Sequence, residues 1–130
     1  MNISKFTQKS VQAVQDLEKV AYEYGNQEIE QEHLLYTLLT QEDSLILKLI
    51  EKMEINKDYF IDTVKKALDA KVKVSGGELR FGQYLNKALV NAEDEAKAMG
   101  DEYVSVEHLF LALLKYPSPS MKKIWSEFGI

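Results

Sequence analysis

Two Glu-His pairs are where chemistry would begin in this sequence. Glu32-His33 and Glu107-His108 each open a leucine-rich segment. A metal site built on them needs a convergent set of histidines and carboxylates. The residue four places after each histidine is Thr37 or Ala112, so neither pair has the second histidine of a zincin helix. The other roles open to these residues are electrostatic and structural. A carboxylate in the first turn of a helix is favoured by the macrodipole, and a histidine there is often a satisfied, partly buried residue. A duplicated carboxylate at a helix start is also placed to receive a cationic group, such as the guanidinium of a bound chain.

Signatures of catalysis are missing. The sequence contains no Gly-x-x-x-x-Gly-Lys-Ser/Thr phosphate loop, no Gly-x-Ser-x-Gly elbow and no dinucleotide fingerprint. With no cysteine, a disulfide framework, a thiolate zinc site and a cysteine nucleophile are excluded. The net charge is -5, and Lys65-Lys66 and Lys122-Lys123 are isolated pairs rather than a basic stripe. Binding to a phosphate backbone needs clustered cations, so nucleic acid is not an expected partner. The N-terminus lacks the apolar run of a signal peptide, and no stretch approaches the roughly 20 apolar residues of a membrane span. The expectation is a cytoplasmic protein with no membrane partner.

The elements that must position these residues come in two copies. Phe6 stands 75 residues before Phe81, and the same offset continues without a gap. It pairs Gln8 with Gln83, Ala13 with Ala88, Ala21 with Ala96 and Gly25 with Gly100, then Glu32-His33-Leu34 with Glu107-His108-Leu109. Similar residues fill the gaps, as with Ile29 and Val104. The chain is a tandem duplication. In the first copy Val11, Val14, Leu17 and Ala21 recur at helical spacing, with Thr7 as a cap in front and Gly25 behind. Leu85, Ala88, Leu89, Ala92 and Ala96 repeat the pattern ahead of Gly100. Second helices are predicted from Glu32 and, after Ser105, from Glu107. Third helices are predicted over 45–53 and about 120–128, and a fourth over 57–70.

The expected organisation is all-α: a pseudo-twofold tandem repeat of a four-helix motif, with the first repeat over 1–70, a linker over 71–81 and the second repeat over 82–130. The offset places the second copy of the fourth helix beyond Ile130, so that helix is expected to be missing or truncated. The short linker packs the repeats together in one domain. The first helices of the two copies, related by the pseudo-symmetry, are expected to frame a shallow apolar groove, a natural peptide site.

Phe6-Thr7-Gln8-Lys9-Ser10 before a helix resembles the opening of the Clp N-terminal repeat domains. So do Gly25-Asn26-Gln27-Glu28-Ile29-Glu30-Gln31-Glu32-His33-Leu34-Leu35 and the stretch from Ala92 to Leu109. The resemblance covers essentially the whole chain and looks most like the ClpB disaggregases. It implies a substrate-capture domain, itself without catalytic site, metal or cofactor. Such a domain is tethered to a hexameric AAA+ motor that uses ATP and Mg and cooperates with the DnaK chaperone system. It implies binding of exposed apolar segments of unfolded or aggregated polypeptides, and an isolated domain that is a monomer. Functional positions of the family match Thr7, Asp101 and Glu107, and the apolar groove would hold Leu89 and Val90, with Leu85 and Val11 beside them. An alternative is a ClpC-like adaptor domain, whose duplicated glutamates, here Glu32 and Glu107, would dock phosphorylated arginine. ClpC-type members usually carry Gly-Thr-Glu-His at both places, where this chain has Gln31-Glu32-His33 and Val106-Glu107-His108.

Overall fold

The structure, a computed structural model, describes residues 3–130. Among the described residues seven α-helices follow in order: α1 (Gln8–Glu23), α2 (Gln31–Thr40), α3 (Leu45–Lys52), α4 (Lys57–Asp69), α5 (Gln83–Ala98), α6 (Val106–Lys115) and α7 (Pro119–Glu127). Two short strands, β1 (Glu28–Ile29) and β2 (Arg80–Phe81), pair in parallel. The first repeat supplies α1 to α4 and the second α5 to α7.

Local chemistry marks the helix ends. The Thr7, Ser44, Asn56 and Ser118 side chains each accept the N–H of the residue three places on, at the starts of α1, α3, α4 and α7. Pro119 sits in the first turn of α7, where its missing N–H costs nothing. Gly82 caps α5 for a steric reason: a Cβ there would lie 2.9 Å from Glu28 Oε1 and 3.2 Å from the Ile29 carbonyl.

The repeats interlock through the backbone. β1 of the first repeat pairs with β2 just ahead of α5, and Gly82 N–H donates to the Ile29 carbonyl at 2.7 Å. Its symmetry mate is the bridge of Phe6 with Val104, where Thr7 N–H donates to the Val104 carbonyl at 2.9 Å. Each repeat thus receives the segment leading into the other's first helix. These pairings lie outside what helical periodicity reveals, and β2 falls within the stretch read as linker.

Inside, α2 and α6 are the central helices. They touch each other, α1 lies on both, and so does α5. The repeats therefore meet through their second helices. This corrects the expectation of a groove between the first helices of the two copies, α1 and α5: their apolar faces are spent on α2 and α6. Leu17, Leu34, Leu35, Leu38, Leu85, Leu109 and Leu113 form the core. Trp125 anchors α7 beneath it, with Nε1 donating to the Leu113 carbonyl at 3.0 Å and the ring packed against Phe60 and Phe110.

Candidate functional site

The histidines are occupied in holding the starts of α2 and α6. His33 Nδ1 accepts the Glu30 N–H at 2.8 Å, and Nε2 faces Asn26 Oδ1 at 3.0 Å. His108 does the same in the second copy, with the Ser105 N–H at 2.9 Å and Asp101 Oδ2 at 2.8 Å. An Nδ1 that accepts a backbone N–H must leave the proton on Nε2, so both rings fit the Nε2–H tautomer and donate to Asn26 and Asp101. Burial, followed by the nearby Lys71 ammonium, pushes His33 down to about 4. Among the described residues no three His, Cys, Asp or Glu side chains gather into a group able to hold a metal ion.

The duplicated glutamates have separated in role. Glu32 is 1 % exposed, and its Oε2 accepts from Lys71 Nζ at 2.9 Å and from Ser120 Oγ at 2.6 Å. Lys71 also reaches Glu30 at 2.9 Å. Burial alone would lower the Lys71 ammonium, but the two carboxylates outweigh it and hold it above the ordinary lysine value. The site expected at Glu32 is thus closed by the protein's own cation. Glu107 is exposed, and no ion pair among the described residues holds it.

Glu107 lies where two open features meet. One is an apolar groove of about 410 Å³ between α3, α6 and the end of α5, walled by Leu49, Met53, Met99, Phe110, Leu111 and Leu114. Met53 and Met99 are exposed there, while Leu49, Leu111 and Leu114 are half-buried. The other is a more polar cleft of about 440 Å³ beside the start of α1, which brings Glu107 together with Thr7, Gln41, Asp43 and Leu45.

Of the residues expected at the site, the structure gathers Thr7 and Glu107 around one cleft. Asp101, with its side chain 49 % exposed, is linked to them through His108, which forms part of the groove wall. The apolar residues expected there are placed elsewhere. Leu85 and Leu89 are core residues of α5 at 0 % and 2 % exposure, so neither presents a side chain to a ligand. Val11 is half-buried against the core, and Val90 is exposed, outside the groove. The groove's actual walls, on α3 and α6, escape a reading of the first helices. The available signal is the pair of methionines, Met53 and Met99, each at a helix end.

The profile of the Clp repeat (R) N-terminal domain family matches residues 5–128. Chaperone protein ClpB of Nitratidesulfovibrio vulgaris is 38 % identical over 136 residues, covering 100 % of this chain and 16 % of that protein. Chaperone protein ClpB of Porphyromonas gingivalis is 40 % identical over 114 residues, covering 88 % of this chain and 13 % of that protein. The chain thus spans about a sixth of the length of these relatives or less. The Hsp104 N-terminal domain from Candida albicans has the same fold, with a TM-score of 0.85 at 22 % identity over 97 % of this chain and 83 % of that one. A complex of the ClpV N-domain with a VipB peptide matches with a TM-score of 0.74 at 20 % identity, covering 95 % of this chain and 79 % of that one.

Proposed function

Because the chain belongs to the Clp repeat N-terminal domain family, we propose that it captures exposed apolar segments of unfolded or aggregated polypeptides for a ClpB-type disaggregase. The observation that carries this reading is the groove between α3 and α6, where an apolar wall stands open beside a carboxylate. Methionine suits such a surface because its flexible, polarizable side chain adapts to clients of different shape. Burying one client side chain of leucine size stabilises the complex by about 1.5–3 kcal/mol. The cost of ordering the client offsets much of that, so binding is weak and the client can be passed on. The ClpV N-domain holding a VipB peptide supports peptide binding as a use of this fold.

In this reading the chain contributes binding alone. ATP, Mg and the hexameric AAA+ motor belong to the rest of a cytoplasmic parent protein that works with DnaK-type chaperones, and the ClpB relatives support that placement. No helix among the described residues is long and apolar enough to cross a membrane.

The test is fluorescence anisotropy with a labelled, permanently unfolded casein fragment. Met53→Glu with Met99→Glu changes two exposed residues, so the double variant keeps its helicity and loses client affinity at least about tenfold, the loss expected from about 1.4 kcal/mol. Wild-type affinity in the folded double variant would remove the groove from the function.

A further inference from the structure

The apolar groove between α3 and α6 has a twin in the first copy, and there the seat is covered by a helix. Shifted by the offset of 75, the groove residues Leu49, Met53, Met99, Phe110, Leu111 and Leu114 become Ile124, Phe128, Tyr24, Leu35, Tyr36 and Leu39. The helix on that twin is α4. At its start Tyr59 and Phe60 set their rings 5.4 Å and 4.9 Å from that of Phe128. Along its length it packs on α2 and buries Phe60, Val64 and Leu68 completely. Just past its end Lys73 stands over the Tyr24 ring at 5.6 Å. So α4 runs from Phe128 toward Tyr24.

The backbone of the two seats agrees. α2 and α6 keep the offset at both ends, and so do α1 and α5. Tyr24 and Met99 close their helices at φ -89° and -86°, followed by Gly25 and Gly100 at φ 69° and 74°. Met53 and Phe128 close theirs at ψ 6° and 3°, followed by Glu54 and Gly129 at φ 61° and 69°. What differs is the cover. Among the described residues the second copy has no fourth helix. Leu39 is 1 % exposed where Leu114 is half-buried, and the half-buried Tyr24 and Phe128 correspond to the exposed Met99 and Met53. With no helix over it, α3 lies closer to α6 than α7 does to α2.

We propose that the groove takes one amphipathic helix of a bound polypeptide, seated as α4 is seated in the first copy. An aromatic residue of that helix stands on Met53, and apolar residues four and eight places on run toward Met99. An extended segment fits less well. The walls are helices whose backbone groups are bonded internally, so they answer none of its N–H and C=O groups, whereas a helix satisfies its own. The aromatic residue suits Met53, because a thioether packs favourably at a ring edge. Charge adds a second requirement. In the first copy Asp62 and, more weakly, Glu127 hold the Lys66 ammonium above its ordinary value. The counterpart of Glu127 is Lys52, which borders the groove and has no ion pair among the described residues. The bound helix therefore carries a carboxylate at the place of Lys66. This rests on the capture reading and narrows it to client segments able to form such a helix. As the helix enters, α3 yields, which keeps the binding weak.

The test is an NMR titration of the methyl-labelled chain with synthetic peptides of the α4 sequence, residues 57–70. One peptide is unchanged, one carries Lys66→Glu, and one adds Lys65→Pro to that, which breaks the helix and keeps every apolar residue. The Lys66→Glu peptide shifts the methyls of Leu49, Met53, Met99, Leu111 and Leu114 and gains helicity by circular dichroism. It binds at least about tenfold more tightly than the proline form, and about two- to fivefold more tightly than the unchanged peptide. Lys52→Glu in the chain reverses the latter order. Equal binding of the proline form at the same methyls overturns helix docking and leaves the capture reading standing for extended segments. Shifts centred on Tyr24 and Phe128, an order unchanged by Lys52→Glu, or sedimentation showing that the chain pairs with a second copy through Met53 and Met99 would each overturn it too. Silence to every peptide, with Met53 and Met99 still moving on addition of the casein fragment, removes this inference alone. Silence to casein as well removes both readings.

Discussion

Lowering the pH should weaken this fold through His33 before most carboxylates begin to titrate. The ring is fully buried, Nδ1 already accepts the Glu30 N–H, and Nε2 is committed to Asn26. A second proton would have to enter at Nδ1 and break the start of α2. Burial first, and the Lys71 ammonium second, hold the residue at about 4 instead of 6.5. Between those values the unfolded chain binds a proton that the folded chain refuses, so stability is complete above pH 6.5 and is lost as pH falls toward 4. The gap of 6.5 − 4 = 2.5 in pKa amounts to about 3 kcal/mol at 1.36 kcal/mol per unit. About 2 kcal/mol of it is gone by pH 5, a large share of the roughly 5–15 kcal/mol a domain possesses. Urea unfolding followed by far-UV circular dichroism at pH 7.5, 6 and 5 measures the loss. His33→Gln keeps a polar group at the site without a titrating proton and should show a much flatter profile over that range. Parallel decline of the variant and the wild type between pH 7.5 and 5 would refute the assignment of the pH dependence to this ring.

Three other perturbations follow from the packing. Gln31→Ala removes three hydrogen bonds and strands the backbone groups that its carboxamide satisfies, so it should cost about 3–5 kcal/mol in urea unfolding, and a loss under about 1 kcal/mol would deny that this side chain joins the repeats. Leu89→Ala should cost about 2–5 kcal/mol as a core cavity, whereas the exposed neighbour Val90→Ala should stay within about 0.5 kcal/mol; the two unfolding midpoints give the contrast directly. Lys71→Met leaves Glu32 buried with only Ser120 to answer it and should cost about 3–5 kcal/mol, which Glu32→Gln in the same chain partly restores; thermal melts of the single and double variants read the coupling.

Much of the architecture is legible in the sequence because duplication states each element twice. Helix starts at Thr7 and Ser105 and stops before Gly25 and Gly100 follow from capping chemistry that acts within one turn. The Glu-His pairs are likewise recognisable as helix-start residues, since their spacing to Glu30 and Ser105 is local. What escapes is long-range. Leu89 and Leu111 look equally apolar in the sequence, and periodicity alone does not say which of them faces solvent. Only the packing of α5 on α2 and α6 buries Leu85 and Leu89 and leaves the wall of the groove to Leu111 and Leu114. The fates of Glu32 and Glu107 diverge for the same reason. Their sequence surroundings match, but Lys71, 39 residues after Glu32, folds over one carboxylate and leaves the other open.

The crossed backbone pairings also bear on how the chain is made. During synthesis the Phe6 segment emerges nearly a hundred residues before its partner Val104, and β1 waits about fifty residues for β2. Until then the first repeat has α2 uncovered on the side that α5 and α6 later occupy. Contacts of such sequence separation close late and slow the search. A ribosome-bound first repeat is therefore itself a chain with exposed leucines, and the domain matures only when the second copy leaves the exit tunnel and completes it.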